Sequence, residues 1–206
     1  MLKIWGRRNS INVMKVLWVC DEIGLPYERI DAGMHFGVVD TPEYGLLNPN
    51  RRVPTINDDG FVLWESNTIV RYLASKHGRD DLLPTDLQGR ADVERWMDWT
   101  TATVTIGMTP LFWQLIRTPE AQRNAAVLAQ ATVDAERCMR ILDSHLSARN
   151  FLCAERFTVA DIPVAAFVQR WRSLPIEHPS LPGLEAYQQR MLEREPFRTH
   201  ITLPLS

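Results

Sequence analysis

Residues 53–64 hold the strongest local constraint in the sequence. Val53 to Asn57 and Phe61-Val62-Leu63-Trp64 are strand-length runs, and Asn57-Asp58-Asp59-Gly60 stands between them. An Asp-Gly pair supplies the positive φ angles of a tight turn, so the two runs are expected to pair as a β-hairpin. The residues before it supply more elements. Leu2 to Trp5 is a short apolar run ended by Gly6, and Val13, Val16, Leu17, Cys20 and Ile23 then follow helical spacing to a stop at Gly24. Pro26 to Ile30 reads as another strand, and Ile69, Tyr72 and Leu73 mark one face of a helix ending near His77-Gly78. The order is βαβ, a short helix, then ββα, which folds as a small α/β sandwich with a right-handed parallel crossover.

Beyond Gly78 the pattern changes. Residues 79–88 carry the polar, Pro-containing character of a linker, and no convincing strand follows. Val93, Trp96, Met97, Thr100 and Val104 trace one helix, and Leu128, Ala131, Ala135, Cys138, Leu142 and Leu146 trace another. Phe157-Thr158-Val159-Ala160-Asp161-Ile162 is a variant capping box. In it Thr158 is expected to accept from the Asp161 amide, the Asp161 carboxylate to reach back to the Thr158 amide, and Phe157 to pack on Ile162. The helix it starts runs through Trp171 to Pro175, and a last one spans roughly Pro182 to Arg194. The expected division is therefore an α/β domain over 1–78, a linker over 79–88 and an all-α bundle over 89–206.

Composition narrows the function classes. A net charge of -2 gives no reason to expect nucleic acid or an anionic membrane as partner. No run approaches the roughly 20 apolar residues of a membrane span, and the amino terminus has no signal-peptide hydrophobic region, so the expected location is the cytoplasm. Cys20, Cys138 and Cys153 are widely spaced and form no Cys-x-x-Cys, and the five histidines show no ligand spacing. Neither a disulfide framework nor a metal site is expected.

Together, the element order, the Val53-Pro54 pair, Glu65-Ser66 at a helix start and the Thr158-x-x-Asp161 box resemble a cytosolic glutathione S-transferase, over essentially the whole chain. The opening from Trp5 to Val16, with Ser10 followed two positions later by Asn12, is similar to that of bacterial theta-like or nu-like members. The resemblance implies a thioredoxin-like first domain, an all-helical second one, glutathione as co-substrate, a small electrophile and a two-fold homodimer. It also implies a cis bond before Pro54, with Val53 offering its backbone N–H and C=O to the cysteinyl unit like an added strand.

Physical chemistry gives the matched residues their work. A free thiol has a pKa near 8.5, so little of it is thiolate at neutral pH, and thiolate is the nucleophile. Ser10, Asn12 and the free N–H groups where the first helix begins are the candidates to stabilise it. The competing structural role for Ser10 is that of a plain helix N-cap, since one hydroxyl oxygen would serve either purpose. For the γ-glutamyl end, Ser66 and its backbone N–H are expected to hold the carboxylate and Glu65 the ammonium. Arg52 matches the glycyl carboxylate, with His35 a second candidate. His35, Phe36, Met108, Phe112, Trp113 and Arg117 are expected to line the electrophile cleft between the domains. No Tyr follows the first strand and no Cys stands at the first helix start, which speaks against a protein thiol as nucleophile. Glutathione-dependent disulfide or peroxide reduction is the rival activity, and a non-catalytic glutathione-binding protein of the same fold the rival class.

Overall fold

A computed structural model describes residues 1–153 and 155–206. The first part runs β1 (Leu2–Trp5), α1 (Ile11–Glu22), β2 (Tyr27–Ile30), α2 (Pro42–Leu47), β3 (Thr55–Asp58), β4 (Phe61–Trp64) and α3 (Ser66–Lys76). The sheet order is β2-β1-β3-β4, with β1 and β2 parallel and the other pairs antiparallel. This is the expected thioredoxin-like βαβαββα arrangement. The hairpin turns at Asp59 and Gly60, both at positive φ, and the Asn57 side chain accepts from the Gly60 N–H at 2.7 Å. β3 begins two residues later than the sequence reading placed it, because the cis Val53-Pro54 bond takes those residues out of the ladder.

The second part is helical. α4 (Leu87–Trp99) and α5 (Thr105–Phe112) are joined by a π turn at Thr100–Val104, and a further π turn at Trp113–Arg117 continues the rod. α6 (Ala125–Leu146), α7 (Asp161–Arg172), α8 (Pro182–Leu192) and α9 (Glu195–His200) follow. The apolar stripe expected on α6 is the buried one, with Ala131, Ala135, Cys138, Leu142 and Leu146 all facing the core.

α1 is the element that joins the two halves. Every residue from Val13 to Cys20 is buried, because α1 packs on α3 on one side and on α7 and α9 on the other. Trp18 stacks between Phe157, at 5.6 Å between ring centroids, and Phe197, at 5.2 Å. Truncating a Trp so enclosed costs about 3–5 kcal/mol. Leu82 and Leu83 of the connecting segment are also buried, and the Val159 N–H donates to the Leu82 carbonyl at 3.0 Å.

At the start of α7 the capping box differs from the expectation in one bond. The Asp161 carboxylate accepts from the Thr158 N–H at 2.8 Å as expected, but the Thr158 hydroxyl donates to that same carboxylate at 3.3 Å. The Asp161 N–H goes instead to the Thr158 carbonyl at 3.0 Å. A buried carboxylate is a stronger acceptor than a hydroxyl and draws both Thr158 donors to itself. It also accepts from the Leu152 N–H and the Tyr187 hydroxyl. Burial nevertheless pushes the Asp161 pKa up to about 6, against the pull of these bonds. All three cysteines are buried and unpaired, and burial drives Cys153 up to about 12.

Candidate active site

Three turns of chain meet over the end of β1. Gly6 closes β1, and its missing side chain matters: a Cβ there would lie 2.4 Å from a Val13 methyl and 3.3 Å from Val53. That close approach brings the start of α1 and the cis-proline turn together. The turn is held from behind, where the Tyr44 hydroxyl and the Asn48 amide both donate to the Arg52 carbonyl, at 2.8 and 2.9 Å. Arg51 donates back to the Val39 and Thr41 carbonyls and fixes the neighbouring loop.

The result is a cleft of about 390 Å³ between the two halves. Ser10, Asn12, Arg52 and Val53 line it from the first half, and Phe112, Trp113 and Arg117 from the second. Pro54 is buried directly behind Val53. Glu65 and Ser66 stand at the β4–α3 junction and are not on this cavity wall; Glu65 is exposed at φ 75, and Ser66 is buried.

Ser10 is the N-cap residue of α1 by backbone geometry, yet its side chain makes no capping hydrogen bond. α3 likewise starts without a side-chain cap. Thr41, Asp86 and Asn124 cap α2, α4 and α6 with their side chains, while α7, α8 and α9 also start without one; what sets α1 apart is that its first turn borders the cleft. The first-turn N–H groups of α1 and α3 are therefore left to an outside acceptor, and a helix N-terminus in that condition favours an anion. The Ser10 hydroxyl is equally uncommitted, so the two roles foreseen for it do not compete here.

Beneath Asn12 lies a residue the sequence reading did not single out. Lys15 is 3% exposed, and its Nζ donates to Asn12 Oδ1 at 3.0 Å. As an ammonium Lys15 only donates, which pairs it with Asn12 Oδ1 and leaves the Asn12 Nδ2 donors without a protein partner; above about pH 7 the neutral amine can also accept. Burial lowers Lys15 to about 7, with Arg170 pushing the same way and Glu65 opposing. Its position inside an otherwise apolar stretch, Val13-Met14-Lys15-Val16-Leu17, was the available signal.

Three more cationic or sulfur-bearing side chains were missed. Arg7 and Arg170 line the cleft, and so does Met34, whose Sδ accepts from Arg117 Nη1 at 3.6 Å. One expectation needs correction. Met108 is completely buried in the core, because it lies on the face of α5 that packs on α6. His35 and Phe36 are exposed and stack on each other at 4.0 Å; like Glu65 and Ser66 they are not on this cavity wall, which Met34 of the same turn does line. Among the described residues no group of acidic, His or Cys side chains is placed to hold a metal, and no helix is long and apolar enough to cross a membrane.

Residues 1–75 match the model of the glutathione S-transferase N-terminal domain, and residues 102–195 match that of the C-terminal domain. Glutathione S-transferase GstB of Escherichia coli is 35% identical over 208 residues, covering 100% of both chains. The crystal structure of a theta class glutathione S-transferase from Xanthomonas axonopodis pv. citri with glutathione bound superposes with a TM-score of 0.95 at 43% identity, covering 100% of this chain and 99% of that one. Its apo form gives a TM-score of 0.86 at 38% identity, covering 100% and 98%.

Proposed function

Because this chain belongs to the glutathione S-transferase family, we propose that its cleft takes glutathione with the sulfur at the N-terminus of α1 and transfers it to a small electrophile. It is a glutathione transferase, with glutathione as co-substrate. The observation that carries the site assignment is the uncommitted N-terminus of α1, with a Ser10 hydroxyl that caps nothing and an Asn12 amide oriented by Lys15.

In this reading Ser10 donates its O–H to the sulfur, Asn12 presents Nδ2, and the first-turn N–H groups face the same point. A hydrogen bond to a charged group contributes about 1.5–3 kcal/mol, which lowers the thiol pKa by about 1–2 units. The thiol proton leaves to solvent. The sulfur lone pair then forms a C–S bond at the electrophilic carbon, and in a substitution the leaving group departs with its bonding electrons. Val53 pairs its backbone with the cysteinyl unit, Arg52 meets the glycyl carboxylate, and Glu65 and Ser66 at the start of α3 hold the γ-glutamyl end. The electrophile lies toward Phe112, Trp113 and Arg117. The division into 1–78, 79–88 and 89–206 belongs to the same reading.

Reduction of disulfides through a protein thiol is disfavoured, since Cys20, Cys138 and Cys153 are buried and burial raises all three. A two-fold homodimer belongs to the same reading, and Phe61, Leu87, Ile106 and Val133 are exposed apolar side chains that such an interface could cover. A cytoplasmic location accords with the reduced thiols. The test is an ultraviolet titration of enzyme-bound glutathione in the wild type and in Ser10→Ala. The reading predicts a bound thiol pKa well below that of free glutathione, raised by about 1–2 units in the variant. An identical titration in both proteins would remove Ser10 from the sulfur site.

A further inference from the structure

The cleft holds more positive charge, from both of its walls, than glutathione accounts for. Arg7 follows β1, Arg117 ends the α4–α5 rod and Arg170 lies on α7, and all three line the same cavity. None of them pairs with an Asp or Glu side chain among the described residues. The Nε atoms of Arg7 and Arg117 are buried with no hydrogen-bond partner. Arg117 reaches only Met34 Sδ and the Ser206 carbonyl, the latter at 2.5 Å, while Arg170 lies over the Phe112 ring at 4.2 Å. Each guanidinium feels the others. Burial lowers Arg170 to about 10 with help from Arg117 and Arg7, and burial lowers Arg7 with help from Arg117.

Cations gathered without an acidic side chain beside them, Arg7 and Arg170 above all, carry a repulsion that an anion would relieve. Glutathione brings carboxylates, but Arg52 and the free N-terminus of α3 already stand where those are needed. Arg117 and Arg170 belong to the opposite, helical wall, on the electrophile's side and against the apolar faces of Phe112 and Trp113.

We infer that Arg7, Arg117 and Arg170 form a carboxylate-recognition site for the second substrate, so that this enzyme selects small electrophiles with an apolar body and an anionic end. The inference rests on the reading of the cleft as a glutathione transferase site. A planar guanidinium pairs with a carboxylate through two parallel N–H···O bonds, and Phe112 and Trp113 cover the ring or chain that bears it. The carboxylate takes no part in bond making. It is a positional anchor that sets the electrophilic carbon against the sulfur.

A matched pair of electrophiles tests this: para-(bromomethyl)benzoate and para-(bromomethyl)benzamide, which share reaction centre and shape and differ in charge. With saturating glutathione, the intact enzyme is expected to favour the benzoate in kcat/KM by about 30-fold or more, the scale of one charge-assisted hydrogen bond. Arg170→Met keeps the packing on Phe112 and should bring that ratio down by about the same factor, as should Arg7→Gln. A wild-type ratio near one, or a ratio unmoved in both variants, overturns the inference. Binding of the unreactive para-toluate and para-toluamide, followed by tryptophan fluorescence, separates the two layers. Toluate binding that depends on Arg170 in a protein that turns over neither bromide would keep the anion site and refute the transferase reading. Turnover of both bromides at equal efficiency, with equal toluate and toluamide binding, would do the reverse.

Discussion

Replacing Lys15 by Met should make the protein more stable and a poorer catalyst at once. Lys15 is buried on every side and its ammonium titrates at about 7, against 10.5 for an ordinary lysine. Between those two values the unfolded chain holds a proton that the folded one has released, so wild-type stability rises with pH through that window. Relative to a neutral side chain of similar length, the buried lysine costs about 4 kcal/mol at pH 7.5 and about 1 kcal/mol at pH 10. The lost bond to Asn12 returns about 1 kcal/mol of that. Lys15→Met is therefore expected to gain about 3 kcal/mol at pH 7.5, with the gain nearly gone at pH 10. Urea unfolding at both pH values, at one fixed protein concentration, measures it. The same variant removes the Lys15 donor from Asn12, so kcat should fall and the bound thiol pKa should rise, most clearly below about pH 7, where Lys15 is charged. An Asn12→Ala background should abolish that second effect and leave the first. Parallel stability curves for the two proteins would refute the electrostatic argument. A stabilised variant with an unchanged thiol pKa would refute the positioning role.

Other consequences follow from the same geometry. Glu65→Ala should raise the Michaelis constant for glutathione about tenfold, the weight of one charged contact, while the far-ultraviolet spectrum and unfolding midpoint stay in place. An unaffected constant would take Glu65 out of the site. Asp161→Ala leaves the Leu152 and Thr158 amides without their acceptor in the core and the Tyr187 hydroxyl with only the 3.4 Å contact to the residue-161 carbonyl, at about 1–3 kcal/mol for each group that finds no substitute. Because the Asp161 carboxyl titrates at about 6 in the folded chain and near 3.8 unfolded, the folded chain holds the extra proton between those values, and wild-type stability falls as pH rises through them. The loss on substitution should thus be larger at pH 5 than at pH 7.5 by about 1 kcal/mol, and kcat for the folded fraction should not change.

What the sequence disclosed is what short-range physics controls. The Asp59-Gly60 turn, the β4 run, the stripe on α6 and the Thr158–Asp161 pairing each depend on residues within a turn or two of one another. The helical period of the α4–α5 rod is legible only as far as Val104 because Pro110 interrupts the pattern, and the two π turns that flank α5 leave no sequence period of their own. α9 is too short to show a period and begins with a proline. At the site, Ser10, Asn12, Arg52, Val53, Phe112, Trp113 and Arg117 were foreseen at the cleft, and the structure does bring them together. Lys15, Arg7 and Arg170 were not, because their burial is set when α7 and the end of the α4–α5 rod dock beside α1. Met108 was misplaced for the same reason: a helical period tells which residues share a face, not which neighbour that face meets.

The central claim is that a sulfur anion rests on the uncapped N-terminus of α1. A crystal structure of the protein with glutathione tests it most directly. The account predicts the sulfur within about 3.5 Å of the Ser10 hydroxyl or of Asn12 Nδ2, with the Lys15–Asn12 bond intact. A sulfur turned toward solvent, with the Ser10 hydroxyl instead accepting from the first turn of α1, would contradict it.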